Sequence, residues 1–302
     1  MIPSSPPLLE ILNVSKQYLG QQTLALDNIF IQIAENEKVG LIGANGSGKT
    51  TLFRLILNLI HCTNGHIKIG GDSDLEKAKK IVGYVSEYQE GLENFTPREI
   101  LTFAGKMSGM SKTRISEKES ELLHWAALLD HKDELISSFS KGMRQRLLLA
   151  AALIHEPQIL LLDEPMSGLD PKSQKDFRLL LTGLDKYTLI YASHQLSELE
   201  DICDRIIFFH RGKLVRDINL SDYPDEIFTL DTVPDVLALI KKFPHIVIRN
   251  QARVKDKLRL EIITRPDQFQ EFMANCQQNN FRIERLKSQS MLEDLYSQYV
   301  ES

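Results

Sequence analysis

The spacing of apolar and polar residues changes several times along this chain, and each change marks an element. Residues 8–34 have a short period: Ile11-Leu12-Asn13-Val14, then Leu24-Ala25-Leu26, then the alternating Ile29-Phe30-Ile31-Gln32-Ile33. Strands and turns are expected there, because a period of two puts alternate side chains on one face. Glu37-Lys38-Val39-Gly40-Leu41-Ile42 reads as a further strand, and 51–60 as a helix. Gly65-His66-Ile67-Lys68-Ile69-Gly70-Gly71 is a short strand closed by a turn, and 81–85 another strand. From Thr96-Pro97-Arg98-Glu99 to about His131 the period becomes helical and charged, with Pro97 placed to start a helix.

Residues 143–155 are apolar nearly all round, which predicts a buried helix. Two continuous apolar runs follow, Gln158-Ile159-Leu160-Leu161-Leu162 and Thr188-Leu189-Ile190-Tyr191-Ala192. The first ends in Asp163-Glu164 and the second in Ser193-His194. Buried strands with polar residues at their carboxyl ends are how open α/β sheets present a site. Residues 204–214, with Arg211-Gly212 at the turn, read as a closing hairpin.

After about Pro224 the composition shifts. The order becomes strand (226–230), helix (234–243), hairpin (246–249 with 258–263), helix (266–276), strand (281–286) and a helix from Met291. Thr232 with Asp235, and Ser290 with Glu293, have capping-box spacing. A βαββαβα order predicts a small α+β sandwich of ferredoxin-like type.

Composition narrows the class without naming it. The 302 residues can hold one large domain and a small one, or two of medium size, and the apolar and charged fractions are ordinary. A net charge of −5 weighs against nucleic acid as the main partner. Cys62, Cys203 and Cys276 lie far apart with no CxxC, so a disulfide framework and structural zinc are disfavoured and a reducing compartment fits. The opening Met1-Ile2-Pro3-Ser4-Ser5-Pro6-Pro7 lacks the basic and apolar regions of a secretory signal. The longest apolar run, 147–154, is far short of the ~18–20 residues that span a bilayer, so no membrane crossing is expected.

Against that background one segment carries chemistry. Gly43-Ala44-Asn45-Gly46-Ser47-Gly48-Lys49-Thr50 fits G-x-x-x-x-G-K-[ST], between a predicted strand and a predicted helix. Glycines let the chain bend around a phosphate with its N–H groups inward, and the helix N-terminus adds partial positive charge. Lys49 adds a full charge, and the Thr50 hydroxyl can ligate Mg²⁺. Nucleotide binding follows, with Gly43, Asn45, Gly46, Ser47, Gly48, Lys49, Thr50 and Thr51 as its residues.

The P-loop has company in a fixed order. About a hundred residues on stands Phe139-Ser140-Lys141-Gly142-Met143-Arg144-Gln145-Arg146, heading the buried helix. Ile159-Leu160-Leu161-Leu162-Asp163-Glu164-Pro165, Ser167-Gly168-Leu169-Asp170 and His194 follow. This succession resembles the nucleotide-binding subunit of ATP-binding-cassette (ABC) transporters, with Walker A, signature, Walker B, D-loop and switch histidine, and it covers about residues 8–220.

The resemblance implies a P-loop NTPase fold of the ABC-cassette type in the α/β class. Its parts would be a mixed sheet core, an antiparallel β subdomain and a helical subdomain over about 96–155, the cassette filling 8–222 and the small α+β ferredoxin-like domain 225–302. It implies ATP as substrate and Mg²⁺ as cofactor, with the metal held by Thr50 and Asp163. Glu164 would polarise the attacking water, and His194 would contact the γ-phosphate and orient that water. Tyr18, 25 residues before Gly43, would lie against adenine. Ser140 and Gly142 would serve the nucleotide held by an opposite subunit, and Asp170 would organise the seam between the two.

The partners implied are a second cassette, identical or related, and a separate transmembrane permease, with no nucleic acid. The chain would then sit peripherally on the cytoplasmic side of the membrane, its loop from Glu87 to about Arg98 and the helical region behind it receiving the permease. Ser290-Met291-Leu292-Glu293-Asp294-Leu295-Tyr296 is similar to a motif in the last helix of export-type members.

Two departures stand out. Where the family's glutamine loop follows a Gly-Tyr-aliphatic strand, Glu87 follows Gly83-Tyr84-Val85-Ser86, and Gln89 is out of register. A carboxylate at 87 can ligate Mg²⁺ but also repels a γ-phosphate. The signature has Lys141 in place of glycine and Met143 in place of glutamine, and both departures resemble the export-type branch. The alternative of another class is a soluble ABC-type ATPase acting on nucleic acid or ribosomes. Chromosome-type members need a long coiled-coil insertion and translation-type members usually have two cassettes; neither feature is seen here. A nucleotide-dependent scaffold without turnover is the other, and Glu164 argues against it.

Overall fold

The computed structural model describes residues 6–87 and 91–300, with side chains as far as 297. The chain divides into two compact units, Met1–Ile218 and Asn219–Ser302.

In the first unit the short-period start forms β1 (Leu9–Lys16) and β2 (Leu26–Ile33), followed by β3 (Lys38–Ile42), the helix α1 (Lys49–Ile56) and β4 (Asn64–Ile69). Then come α2 (Leu75–Ala78), β5 (Val82–Val85), α3 (Pro97–Met107), α4 (Lys112–Trp125) and α5 (Lys141–Leu153). The unit closes with β6 (Ile159–Asp163), α6 (Pro171–Thr182), β7 (Thr188–Ser193), α7 (Leu196–Glu200), β8 (Arg205–His210) and β9 (Lys213–Asn219).

Two sheets result. β2-β1-β4 is antiparallel, and its inward side chains, among them Leu9, Ile11, Ile29, Ile31 and Ile67, join one core with Leu52, Phe53, Leu55 and Ile56 of α1. Burying each such side chain stabilises the unit by roughly 1.5–3 kcal/mol. The larger sheet runs β5-β6-β7-β3-β8-β9. Every pairing from β5 to β8 is parallel. β6 and β7 are buried at every position, as continuous apolar runs require in a parallel sheet covered on both faces. Only Arg211 and Gly212 join β8 to β9, both with positive φ (48° and 76°), the geometry of a tight antiparallel hairpin, so the sheet is mixed.

Several local expectations shift for identifiable reasons. The helix expected over 51–60 begins at Lys49 and stops at Ile56, because Asn58 turns left-handed at φ 55°. Leu24 and Ala25 form no strand of their own; β2 begins at Leu26. The helical tract after Thr96 splits at 108–111, where Gly109 has φ 77° and the Ser111 hydroxyl caps α4. Thr96 and Glu99 make a reciprocal capping box ahead of Pro97, which the proline alone did not reveal.

The second unit has β10 (Glu226–Thr232), α8 (Val236–Ile240), β11 (Val247–Val254), β12 (Lys257–Thr264), α9 (Pro266–Gln278), β13 (Arg285–Ser290) and α10 (Met291–Val300). Its sheet order is β11-β12-β10-β13, antiparallel throughout. Phe228, Leu230, Leu260 and Ile262 pack against Val236, Leu239 and Ile240 of α8 and against Phe269, Phe272 and Cys276 of α9. The last strand starts at Arg285 rather than Phe281; Phe281 and Ile283 alternate as a strand would, but they pack partly buried against this core ahead of the ladder. Thr232 caps nothing: its hydroxyl donates to the Arg282 carbonyl and α8 begins later. The Ser290 hydroxyl does cap α10, accepting from Leu292 N at 3.1 Å.

Candidate functional site

The parallel pairing puts the carboxyl ends of β5, β6, β7 and β3 on one rim. Glu87 follows β5, Asp163 ends β6 with Glu164 after it, His194 follows β7 and the P-loop follows β3. One topological rule therefore assembles residues spread over more than a hundred positions.

The loop is shaped by what glycine permits. Gly48, at the N-cap of α1, has φ 115°, and a Cβ there would lie 2.7 Å from Leu26 Cδ2 and 2.8 Å from the Ala25 carbonyl. At Gly43 a Cβ would stand 2.4 Å from the Phe209 carbonyl. The β8–β9 turn braces the loop, Gly212 N donating to the Ser47 carbonyl at 2.9 Å. The cleft so formed is lined by Ala25, Asn45, Gly46, Ser47, Gly48, Lys49, Thr50, Thr51, Glu87 and Glu164.

Polar groups inside it are held in a particular pattern. Lys49 is buried; its ammonium donates to the Gly43 carbonyl at 2.6 Å and lies 3.4 Å from Glu164 Oε1. The other carboxylate oxygen, Oε2, accepts from His194 Nδ1 at 2.7 Å, since a carboxylate offers no proton of its own. Glu164 sits at φ 49°, in the left-handed region, while Asp163 continues the strand. The two neighbours thus diverge: Asp163 Oδ1 accepts from the Thr50 hydroxyl at 3.3 Å and Oδ2 from Tyr84 OH at 3.5 Å. Burial pushes the Asp163 carboxyl above its ordinary value, and the charges of Glu164 and Glu87 push the same way. Tyr84 is raised by its own burial and by Asp163, so its proton stays on the hydroxyl.

Ser47 Oγ and Glu164 Oε1 are buried and form no hydrogen bond among the described residues. Orphan polar atoms around an ammonium and a helix N-terminus suit an anion with its water or metal. No group of three or more His, Cys, Asp or Glu capable of holding a metal occurs among the described residues. One hydroxyl and one carboxylate are nevertheless what Mg²⁺ takes from a protein when substrate phosphates complete its shell. The donors Thr50 and Asp163 therefore fit that ion.

The remaining predicted residues divide. Tyr18 is half-buried beside the cleft, its hydroxyl 3.4 Å from Thr51 Oγ1 and the Lys16 ammonium 5.4 Å from its ring centre. Glu87 accepts from the Ser167 hydroxyl at 3.4 Å; Gln89 lies outside the described residues. Ser140 and Gly142 are not brought to the cleft. They head α5, which packs against α3, α4, α6 and β5, whereas α1 packs on β6. There Ser140 Oγ accepts from Met143 N at 3.2 Å, and a Cβ on Gly142 would meet Ser173 Oγ at 2.7 Å. Asp170 caps α6 through Lys172 N, Ser173 N and the Ser173 hydroxyl. The residue reading missed Tyr84 as a partner of Asp163, and it missed Glu198, which is buried below His194. No spacing rule pointed to either.

Similarity to known proteins agrees with this geometry. A family profile described as ABC transporter matches residues 26–167. An uncharacterized ABC transporter ATP-binding protein of Bacillus subtilis (strain 168), YxlF, is 30% identical, over 97% of this chain and 99% of its own length. The chain belongs to the ABC transporter ATP-binding proteins. The bacitracin transport ATP-binding protein BcrA of Bacillus licheniformis is 36% identical over 70% of this chain and 69% of its own. A solved structure of an ATP binding subunit of an ABC transporter superposes with a TM-score of 0.64 at 28% identity, over 71% of this chain and 91% of that one.

As an ABC subunit the chain binds ATP, and its reaction is ATP hydrolysis coupled to transport. The nucleic-acid alternative finds no favour among these relatives. No helix among the described residues is long and apolar enough to cross a membrane.

Proposed function

We propose that two copies of this cassette, or one and a close relative, clamp two ATP molecules between the P-loop of one and the α5 N-terminus of the other. The clamp would drive a separate membrane permease in the export direction, from a peripheral position on the cytoplasmic face. The carrying observation is the separation just described: α1 heads a cleft complete on one side, and Ser140 and Gly142 head another helix with other neighbours. A helix N-terminus with a serine and a bare glycine suits a γ-phosphate, and a second chain is the natural source of one.

Within the clamp, the P-loop N–H groups and Lys49 hold the phosphates, and Lys49 exchanges its contact with Glu164 for them. Mg²⁺, held by Thr50 and Asp163 with Glu87 beside them, would neutralise phosphate charge when bound. Glu164, freed from Lys49 and still oriented by His194, accepts a hydrogen bond from the attacking water. Little covalent chemistry is asked of the protein; positioning and charge stabilisation supply the rate. The permease would meet the cleft beside Leu92, Ile136, Phe139 and Leu147, whose rim carries Glu87 and Arg144. Export is supported by a relative named for bacitracin transport and another named for linearmycin resistance, and by the Ser290–Tyr296 resemblance.

Glu164→Gln tests the reading. It should abolish turnover and, with Mg·ATP, shift the mass seen by light scattering from monomer to dimer. Turnover equal to wild type, or a mass unmoved by nucleotide even with the permease present, would refute it.

A further inference from the structure

Below His194 lies a buried carboxylate that the reaction as described does not use. Glu198, on α7, is 4% exposed. Its Oε2 accepts two hydrogen bonds at 2.8 Å, from the Tyr191 hydroxyl and from the Ser193 hydroxyl. Ser193 Oγ in turn accepts from Gln195 N at 3.0 Å. No cation pairs with Glu198 among the described residues.

That arrangement is expensive as mere packing. Taking a carboxylate out of water against two neutral hydroxyls costs more than an apolar side chain of similar size in the same place. What it provides is position. Ser193 precedes His194 and Gln195 follows it, so one carboxylate, through one serine hydroxyl, fixes the peptide on both sides of the histidine. Tyr191 anchors the same oxygen from two residues further back on β7. Its hydroxyl is held protonated by burial and by the neighbouring carboxylate, so the donor direction of the network is fixed. The histidine ring leaves this clamp toward Glu164 and meets it at 2.7 Å.

We infer that Glu198 is a positioning residue for hydrolysis: through Ser193 it sets the backbone that carries His194, and so the orientation of Glu164. The inference rests on the roles proposed above for His194 and Glu164. It adds that the geometry of that pair is set by a buried group outside the lining of the cleft.

The test is a double-mutant cycle with binding and turnover measured separately. Glu198→Leu keeps about the same volume and removes the acceptor on which both hydroxyls converge, so the clamp loosens. Mg·ATP affinity, read by fluorescent-nucleotide titration, should stay within about twofold, while kcat falls about 10- to 100-fold, as small misplacements of reacting groups do. In a His194→Ala background the same change should cost less than about twofold, because the residue it positions is gone. Ser193→Ala, which cuts the link to Gln195 N and spares the Glu198–Tyr191 bond, should reproduce the kcat loss, and it serves if Glu198→Leu melts too low. Normal kcat in both folded variants, or losses that simply add to that of His194→Ala, would overturn the inference. Normal turnover in His194→Ala alone would instead sink the role assigned to the histidine, and the inference with it.

Discussion

Removing the charge of Asp163 should make this protein more stable while disabling it. The side chain is buried at the end of β6, with Glu164 next to it in sequence and Glu87 across the cleft. Its compensations are thin: a 3.3 Å contact with the Thr50 hydroxyl, a 3.5 Å contact with Tyr84 OH and the charge of Lys49. Asparagine keeps the size and one acceptor oxygen, so one hydroxyl contact stays as it is and the amide N–H₂ donates to the other hydroxyl's oxygen, while desolvation and like-charge repulsion are relieved. Relief of this kind contributes about 1–2 kcal/mol. A unit of this size gains about 2–4 °C per kcal/mol, so Asp163→Asn should melt about 2–8 °C higher.

The pH dependence follows from the direction of the shift. The folded carboxyl titrates above its ordinary 3.8, so in that window the folded chain holds more protons than the unfolded one. Stability is therefore lost as pH rises through the window, and the deficit is complete once the folded carboxyl has ionised. The gap between variant and wild type should close as pH falls toward about 4 and widen as pH rises from there toward neutrality. Differential scanning calorimetry in EDTA measures it without the metal. With Mg·ATP the order should reverse, because only the wild type gains from binding. A variant that melts below wild type in EDTA at neutral pH would show that Asp163 is a net stabilising group, and the reasoning would fail.

Two other outcomes are expected. Gly48→Ala should lower stability by about 1–3 kcal/mol and abolish nucleotide binding, since φ 115° and the contacts with Leu26 and Ala25 leave no room. Gly46→Ala, whose Cβ meets nothing within 4 Å, should suffer only from its φ of 81°; equal melting points for the two would argue against the steric account. Glu87→Gln should tighten ATP binding about three- to tenfold in EDTA, because it removes the charge of one of the acidic side chains lining the cleft. Unchanged affinity in a fluorescent-ATP titration would mean that Glu87 does not face the phosphates.

Much of the sheet was legible because burial on both faces leaves an uninterrupted apolar run, as in Leu160–Leu161–Leu162 and Leu189–Ile190–Tyr191, and a polar pair at its end. The P-loop was legible because only glycine satisfies its backbone. What stayed hidden was pairwise and distant. Nothing in the order of residues reports that Lys49 reaches Glu164, or that Tyr84 reaches Asp163, since the β5-β6-β7-β3 order is fixed by crossovers rather than by neighbouring residues. Glu198 looked like one more acid on a short helix until its depth below β7 was known. The misplaced start of β13 has a similar origin. Phe281 and Ile283 carry the alternation of a strand, but they use it to fill the core of the second unit.

The parallel strands that gather the chemistry on one rim also leave the other rim free of it. The turns entering β6 and β7, at Glu156-Pro157 and Asp185-Lys186, lie at the amino ends of the strands, and the Asp185 side chain is 84% exposed. A dye or affinity handle attached at Lys186 would sit a full strand length away from the nucleotide. Opening and closing of the assembly could then be followed in real time by a reporter that the chemistry never meets.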